Sequence, residues 1–181
     1  MSSGAGHAPE PGGVVIVRYD PSWPLRFAIE RARLQGVLGR NALAIEHVGS
    51  TAVPGLSARP IIDIAVALPG LAATAEVVAL LQRIGYRRDP QGDLEDRFLM
   101  CREEEPKRAF HLSLTAFGTG SWRRMLRLRD RLRDDRALAR EYEELKQRLA
   151  ASDLPSYSAS KQAFLQQLLE AEGKEGAGPG G

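Results

Sequence analysis

Two short apolar runs, 43–48 and 61–68, enclose a loop of small and hydroxyl-bearing residues, and one carboxylate, Asp63, interrupts the second run. Runs of this length, bounded by turn residues and rich in Ile, Val and Ala, predict two buried strands. The loop between them opens with Gly49, Ser50 and Thr51. Glycine lets a backbone approach a phosphate closely, and serine and threonine add O–H donors to the backbone N–H groups. A carboxylate inside an apolar strand is paired, solvated at a cleft or placed on a metal, because burying it alone is costly. Asp63 therefore carries two readings: an acid accepting hydrogen bonds from the loop, or a metal ligand beside a phosphate cradle. Arg59, four residues ahead of it, is either a bidentate phosphate holder or a solvated loop cation. Arg129 and Lys161 interrupt apolar helix stripes, Arg129 between Met125 and Leu132, Lys161 between Tyr157 and Phe164. Such cations either reach into a cleft toward an anion or lay their stems on apolar surface with their heads in water. The chemistry these residue types suit is the holding of a phosphorylated ligand.

The elements that must position them follow from periodicity. A β-type run at 14–18 precedes a helix capped by Ser22, with Leu25, Ala28, Ile29 and Ala32 as its apolar face. Val77, Leu80, Leu81 and Ile84 mark a second helix, stopped by Gly85. A polar loop is expected at 89–96, strands at 98–101 and 110–117, and a charged turn between them. Three consecutive helices close the chain: one capped by Ser121 with Met125, Leu128 and Leu132, one lined by Leu138, Tyr142, Leu145 and Leu149, and one opened by Pro155-Ser156. The fold class is α/β (α+β): a mixed sheet with flanking helices and a C-terminal helical cap, which must bury its stripes to be stable. The Gly-rich ends, 1–13 and 173–181, are expected to be disordered tails around one domain at 14–172.

Apolar content of 43% and charged content of 27% are ordinary for a globular protein. The net charge of +2 excludes little, but its distribution is uneven. Residues 121–133 hold six Arg against one Asp, and residues 89–105 hold seven acids against two Arg, local fields that can steer an anion or pair with each other. Aromatics make up only 6% and are not interleaved with the arginines, so no nucleic-acid partner is expected. A single cysteine, Cys101, precludes an intrachain disulfide and fits a reducing cytoplasm. No apolar run is long enough to span a membrane, and the N-terminal stretch lacks the basic and apolar regions of a secretory signal.

The string HVGSTAVPGLSARPIIDI, at 47–64, resembles the GrpB-like family of the nucleotidyltransferase superfamily. The resemblance extends to YDPSW (19–23), FHLSL (110–114) and the helical positions Arg129, Asp130, Arg133, Tyr142, Lys146 and Lys161. It implies a nucleotidyltransferase-like mixed sheet and transfer of a nucleoside monophosphate from a nucleoside triphosphate to a hydroxyl acceptor. It implies Gly49, Ser50 and Thr51 as the phosphate-binding turn, with Arg59, Arg129 and Lys161 as cations on the nucleotide. Asp63 takes the first metal-ligand position, for Mg2+ or Mn2+, and His111 stands where related enzymes carry a third carboxylate. His111 is then a metal or phosphate ligand; otherwise it is a half-buried strand histidine bonded to backbone. The second acid of the superfamily motif is replaced by Ala65, so a nucleotide-binding module without turnover is the alternative, in which Ala65→Asp would raise metal affinity. Family members also occur fused to dephospho-CoA kinase, which implies a possible protein partner.

Overall fold

The computed structural model describes residues 14–104, 108–150 and 153–175. The expected tail at 1–13, the end of the chain from 176, and the turn at 105–107 lie outside them. The chain divides into two compact units, one of residues 17–136 and one that joins 14–16 to 137–175.

The larger unit is built on a five-stranded mixed sheet. Its strands are β1 (Ala44–Val48), β2 (Ile61–Leu68), β3 (Arg87–Arg88), β4 (Arg97–Glu104) and β5 (Arg108–Ala116). Their order is β1-β2-β5-β4-β3. Only β2 and β5 run parallel; every other neighbour is antiparallel. Alternation along β2 sends Ile62, Ile64, Val66 and Leu68 to one face, where Phe110, Leu112, Leu114 and Met100 join them in the main core. Helices α1 (Trp23–Leu38) and α2 (Thr74–Arg83) supply Trp23, Leu34, Leu38, Val77 and Leu81 to that core. Helix α3 (Gly120–Asp134) instead sets Trp122, Met125 and Leu126 against Val48, Ala65 and Ala67.

Several sequence expectations are corrected here. The run at 14–18 forms no strand, only a bridge between Val17 and Ala58. Helix α1 turns the face expected inside toward solvent: Leu25 and Ile29 are each 63% exposed, while Trp23, Glu30, Leu34 and Leu38 are buried. Glu30 takes an inward position because Tyr86 Oη donates to it at 2.8 Å and Arg102 Nη2 at 2.5 Å, so the buried charge is paired. Ser22 stands at the N-cap but makes no side-chain cap, and Asp20 accepts from the Ser22 N–H at 2.8 Å. Thr119, not Ser121, caps α3. A short strand, β3, lies just ahead of the expected polar loop, and β4 begins at Arg97, one residue before the expected start.

In the smaller unit, α4 (Arg136–Leu149) and α5 (Leu154–Glu175) stack Tyr142 on Phe164 with ring centroids 5.7 Å apart. Asp153 opens α5 by accepting from the Ser156 N–H at 2.9 Å and its hydroxyl at 2.8 Å. The helix runs past the expected domain end at 172. Lys146, one turn after Tyr142, is buried with its Nζ 4.7 Å from the Tyr142 ring centre. Desolvation holds its ammonium down at about 8, with Lys161 adding to the shift and Glu143 opposing it. No helix among the described residues is long and apolar enough to cross a membrane.

Candidate functional site

The face of the sheet away from the main core carries the polar rows. Register places Val48, Asp63, His111 and Cys101 side by side across four strands. The next row is Glu46, Ala65, Ser113 and Leu99, and the third is Ala44, Ala67, Thr115 and Arg97. Side chains two apart on a strand share a face, so the three rows form one surface. Asp63 is 42% exposed on it and His111 is 29% exposed, with His111 Nδ1 3.7 Å from Asp63 Oδ1.

The Gly49 bend meets this pair. Gly49 has φ 71° and ψ −172°, a combination essentially confined to glycine. A Cβ on it would overlap Asp63 Oδ2 and stand 3.0 Å from the acid's Cβ and Cγ. Glycine is therefore required twice, for the backbone angle and for the space the carboxylate fills. A single 3-10 turn follows, whose first bond runs from the Ala52 N–H to the Gly49 carbonyl at 3.2 Å. The Ser50 and Thr51 N–H groups lie ahead of that bond.

The hydroxyls of the turn divide their work. Ser50 is half-buried, and its hydroxyl makes no hydrogen bond among the described residues. Thr51 is buried; its Oγ1 donates to the Ile61 carbonyl at 3.2 Å and sits 3.0 Å from His47 Nε2. Because the one hydroxyl proton is committed to Ile61, His47 Nε2 must carry its own proton and donate to Thr51. His47 stacks on Phe27 at 4.8 Å, and burial, then Arg133 and Arg129, lower its pKa to about 4. The imidazole is neutral and buttresses the turn from beneath.

The expected cations fall in different settings. Arg59 lies between the Ala58 bridge and β2, half-buried; its carbonyl accepts from the Ile61 N–H at 2.7 Å, and its guanidinium makes no hydrogen bond or ion pair among the described residues. Arg129 is engaged with protein groups on all three nitrogens: Nη1 with Glu46 Oε2 at 2.8 Å and the His47 carbonyl at 3.2 Å, Nε and Nη2 with Asp130 at 2.7 and 3.2 Å. Arg133 Nε holds the Ala52 carbonyl at 2.9 Å. These two arginines tie α3 to β1 and to the turn. Lys161 belongs to the smaller unit, where its Nζ lies 6.0 Å from the Tyr157 ring centre.

Ala65 is fully buried in the cluster with Val48, Ala67 and Trp122. The position of the superfamily's second acid is thus covered by α3. Among the described residues, no three His, Cys, Asp or Glu side chains gather into a metal-holding group. What the face offers a cation is the Asp63–His111 pair. Cys101, next in that row, has its thiol pushed up to about 11 by burial, then by Asp89, Asp63 and Glu103. It stays protonated at neutral pH and is a poor nucleophile.

Sequence reasoning missed Arg97. Reading the strand one residue earlier would have put 97, 99 and 101 on one face, but their pairing with Thr115, Ser113 and His111 is a register fact that no local pattern supplies.

Comparison with known proteins adds a consistent set of similarities. The family described as "GrpB protein" matches residues 13–171. A UPF0157 protein of Halalkalibacterium halodurans is 34% identical over 168 residues, covering 90% of this chain and 84% of that one. The glutamate-rich protein GrpB of Alkalihalophilus pseudofirmus is 27% identical, covering 87% and 95%. The crystal structure of conserved protein GrpB from Enterococcus faecalis superposes with a TM-score of 0.78 at 31% identity, covering 89% of this chain and 98% of that one. A dephospho-CoA kinase of Mycolicibacterium paratuberculosis is 41% identical over 78 residues, a match spanning 41% of this chain and 19% of the kinase.

Proposed function

The chain belongs to the GrpB family, and on that premise we propose that it binds a nucleoside triphosphate at the Gly49–Asp63 corner and transfers the nucleoside monophosphate to a hydroxyl acceptor. The observation that carries this reading is the contact between the Gly49 bend and a half-exposed Asp63, with His111 alongside. A cradle that a Cβ would fill, beside a carboxylate, suits a phosphate and a divalent cation together. Asp63 fits a Mg2+ or Mn2+ whose shell is completed by phosphate oxygens and water, and the His111 imidazole is a softer donor than Mg2+ takes and suits Mn2+ better. When bound, such an ion withdraws charge from the phosphates and lowers the pKa of a coordinated hydroxyl.

The chain's own groups do the rest. The Ser50 hydroxyl and the N–H groups of Ser50 and Thr51 are donors for a phosphate, and Arg59 is an uncommitted cation next to β2. Thr51, His47, Arg129 and Arg133 keep the turn in shape, an effect worth having because positioning supplies much of the catalysis in phosphoryl chemistry. The acceptor oxygen forms a bond to the α-phosphorus. The bond from that phosphorus to its bridging oxygen breaks, and pyrophosphate leaves with the electron pair. The hydroxyl proton passes to solvent.

A thermal-shift panel of the nucleoside triphosphates with Mg2+ and Mn2+ tests the binding. A rise in melting temperature that needs both nucleotide and metal, and that Asp63→Asn removes, supports the reading. No shift with any of them would overturn it. The buried Ala65 favours a second reading, nucleotide binding without turnover, for which nucleotide would bind but no acceptor would release pyrophosphate. An accessory role toward a dephospho-CoA kinase rests on the partial similarity alone.

A further inference from the structure

The guanidiniums on the Asp63 face are not equivalent. Arg129 and Arg133 are engaged with protein groups, but Arg97 and Arg124 are not satisfied in the same way. Arg97 opens β4 opposite Thr115, on the face that carries His111 and Asp63. Its side chain lies along the strand: Nη2 donates to the Gly92 carbonyl at 2.7 Å, and Gly92 rests on Leu99, with a Cβ there only 3.1 Å from the Leu99 Cβ. Leu99 belongs to the row between Arg97 and the Asp63–His111 row, so the side chain runs toward that row along its own strand. Arg97 Nε is buried with no hydrogen-bond partner among the described residues.

Arg124 arrives from α3. Asp96, the residue before Arg97, accepts from the Ser121 N–H at 2.8 Å and from its hydroxyl at 2.5 Å. That bond fastens the first turn of α3 beside Arg97. Arg124, three residues after Ser121, therefore stands on the same side of the helix, one turn on. It is exposed, and its guanidinium makes no hydrogen bond or ion pair among the described residues, though its charge acts on the Asp96 carboxylate. The neighbours act on one another: burial, then Arg124, destabilises the Arg97 charge, and Asp63, Asp96 and Asp93 offset this.

We propose that Arg97 and Arg124 form a two-guanidinium clamp for the terminal phosphates of a polyphosphate whose inner phosphate lies at the Gly49–Asp63 corner. Forked donors suit phosphate oxygens, and an anion between the two cations removes their repulsion. The assignment rests on the proposed nucleotide reading and moves the anion-holding part from Arg129 to Arg124.

Calorimetric titration with inorganic tripolyphosphate and with Mg2+–ATP tests it, using full-length wild type, Arg124→Gln, Arg97→Lys, Asp63→Asn and, as a surface control, Arg140→Gln. Arg124→Gln should weaken tripolyphosphate binding about tenfold at unchanged melting temperature. Arg97→Lys, which keeps charge but loses the fork, should weaken it as well, and Arg140→Gln should not. Affinity unchanged in Arg124→Gln, or reduced equally in Arg140→Gln, would overturn the clamp. If Mg2+–ATP binding depends on Asp63 but not on Arg124, the clamp alone falls. If tripolyphosphate binding depends on Arg124 while Mg2+–ATP binding ignores Asp63, the clamp stands and the nucleotide reading falls. A wild type that binds neither compound refutes both.

Discussion

Replacing Gly49 by alanine probes the corner where the turn meets the acid. Two costs arise together. The backbone at φ 71°, ψ −172° lies in a region that an L-residue occupies at about 1–3 kcal/mol. The added methyl also overlaps Asp63 Oδ2 and crowds its Cβ and Cγ at 3.0 Å. Moving a carboxylate off its rotamer costs about 0.5–1.5 kcal/mol. The sum, about 2–4 kcal/mol, shifts a urea midpoint by roughly 1–2 M for a typical slope. Tryptophan fluorescence is a suitable probe, since Trp23 and Trp122 both lie in the 17–136 unit. Asp63→Ala separates the two costs: it removes Oδ2 and Cγ but leaves the backbone angle. In the double mutant about 1 kcal/mol should therefore be recovered relative to additivity. An unchanged midpoint in Gly49→Ala would refute the reasoning. Strict additivity would show that the angle alone, and not the contact with Asp63, demands glycine.

Three further outcomes follow from burial. Ala65→Asp, suggested by the family motif as a gain of a metal ligand, should instead destabilise by about 3 kcal/mol, because its carboxylate enters the cluster with Val48 and Trp122; chemical denaturation measures it. His47 titrates near 4 folded and 6.5 unfolded, so the unfolded chain binds the proton first on acidification. Its contribution is intact above pH 6.5 and is lost as pH falls toward 4, by up to about 3 kcal/mol; His47→Gln should flatten that limb of the stability profile. Glu30→Ala leaves Arg102 and Tyr86 without their buried partner and should cost about 3–5 kcal/mol, read from the same denaturation curves.

The parts legible in sequence are those set by neighbours along the chain. β2 matches its apolar run, β1 begins one residue inside its own, and the acid and the glycine bend sit at their adjoining ends. Helix α1 shows why local pattern fails elsewhere. Leu25, Ala28, Ile29 and Ala32 fit an apolar stripe as well as Trp23, Phe27, Leu34 and Leu38 do. The choice was made by partners far away, since Glu30 is buried through Tyr86 and Arg102, 56 and 72 residues on. Register is equally non-local. That His111 stands beside Asp63, and that Arg97 shares their face, depends on pairing β2 with β5 across the intervening α2, β3 and β4. The commitment of Arg129 to Glu46 and Asp130 was hidden because a cation in an apolar stripe looks the same whether it awaits an anion or already has one.

The central claim, that Asp63 at the Gly49 bend holds a divalent cation only together with nucleotide, is tested most directly by electron paramagnetic resonance of Mn2+. Titrated with ATP present, wild type should take up one equivalent of Mn2+ with nucleotide, and little without it. Asp63→Asn should lose at least about tenfold in that affinity at an unchanged urea midpoint. Equal Mn2+ uptake by Asp63→Asn, or uptake by wild type that ignores ATP, would contradict it.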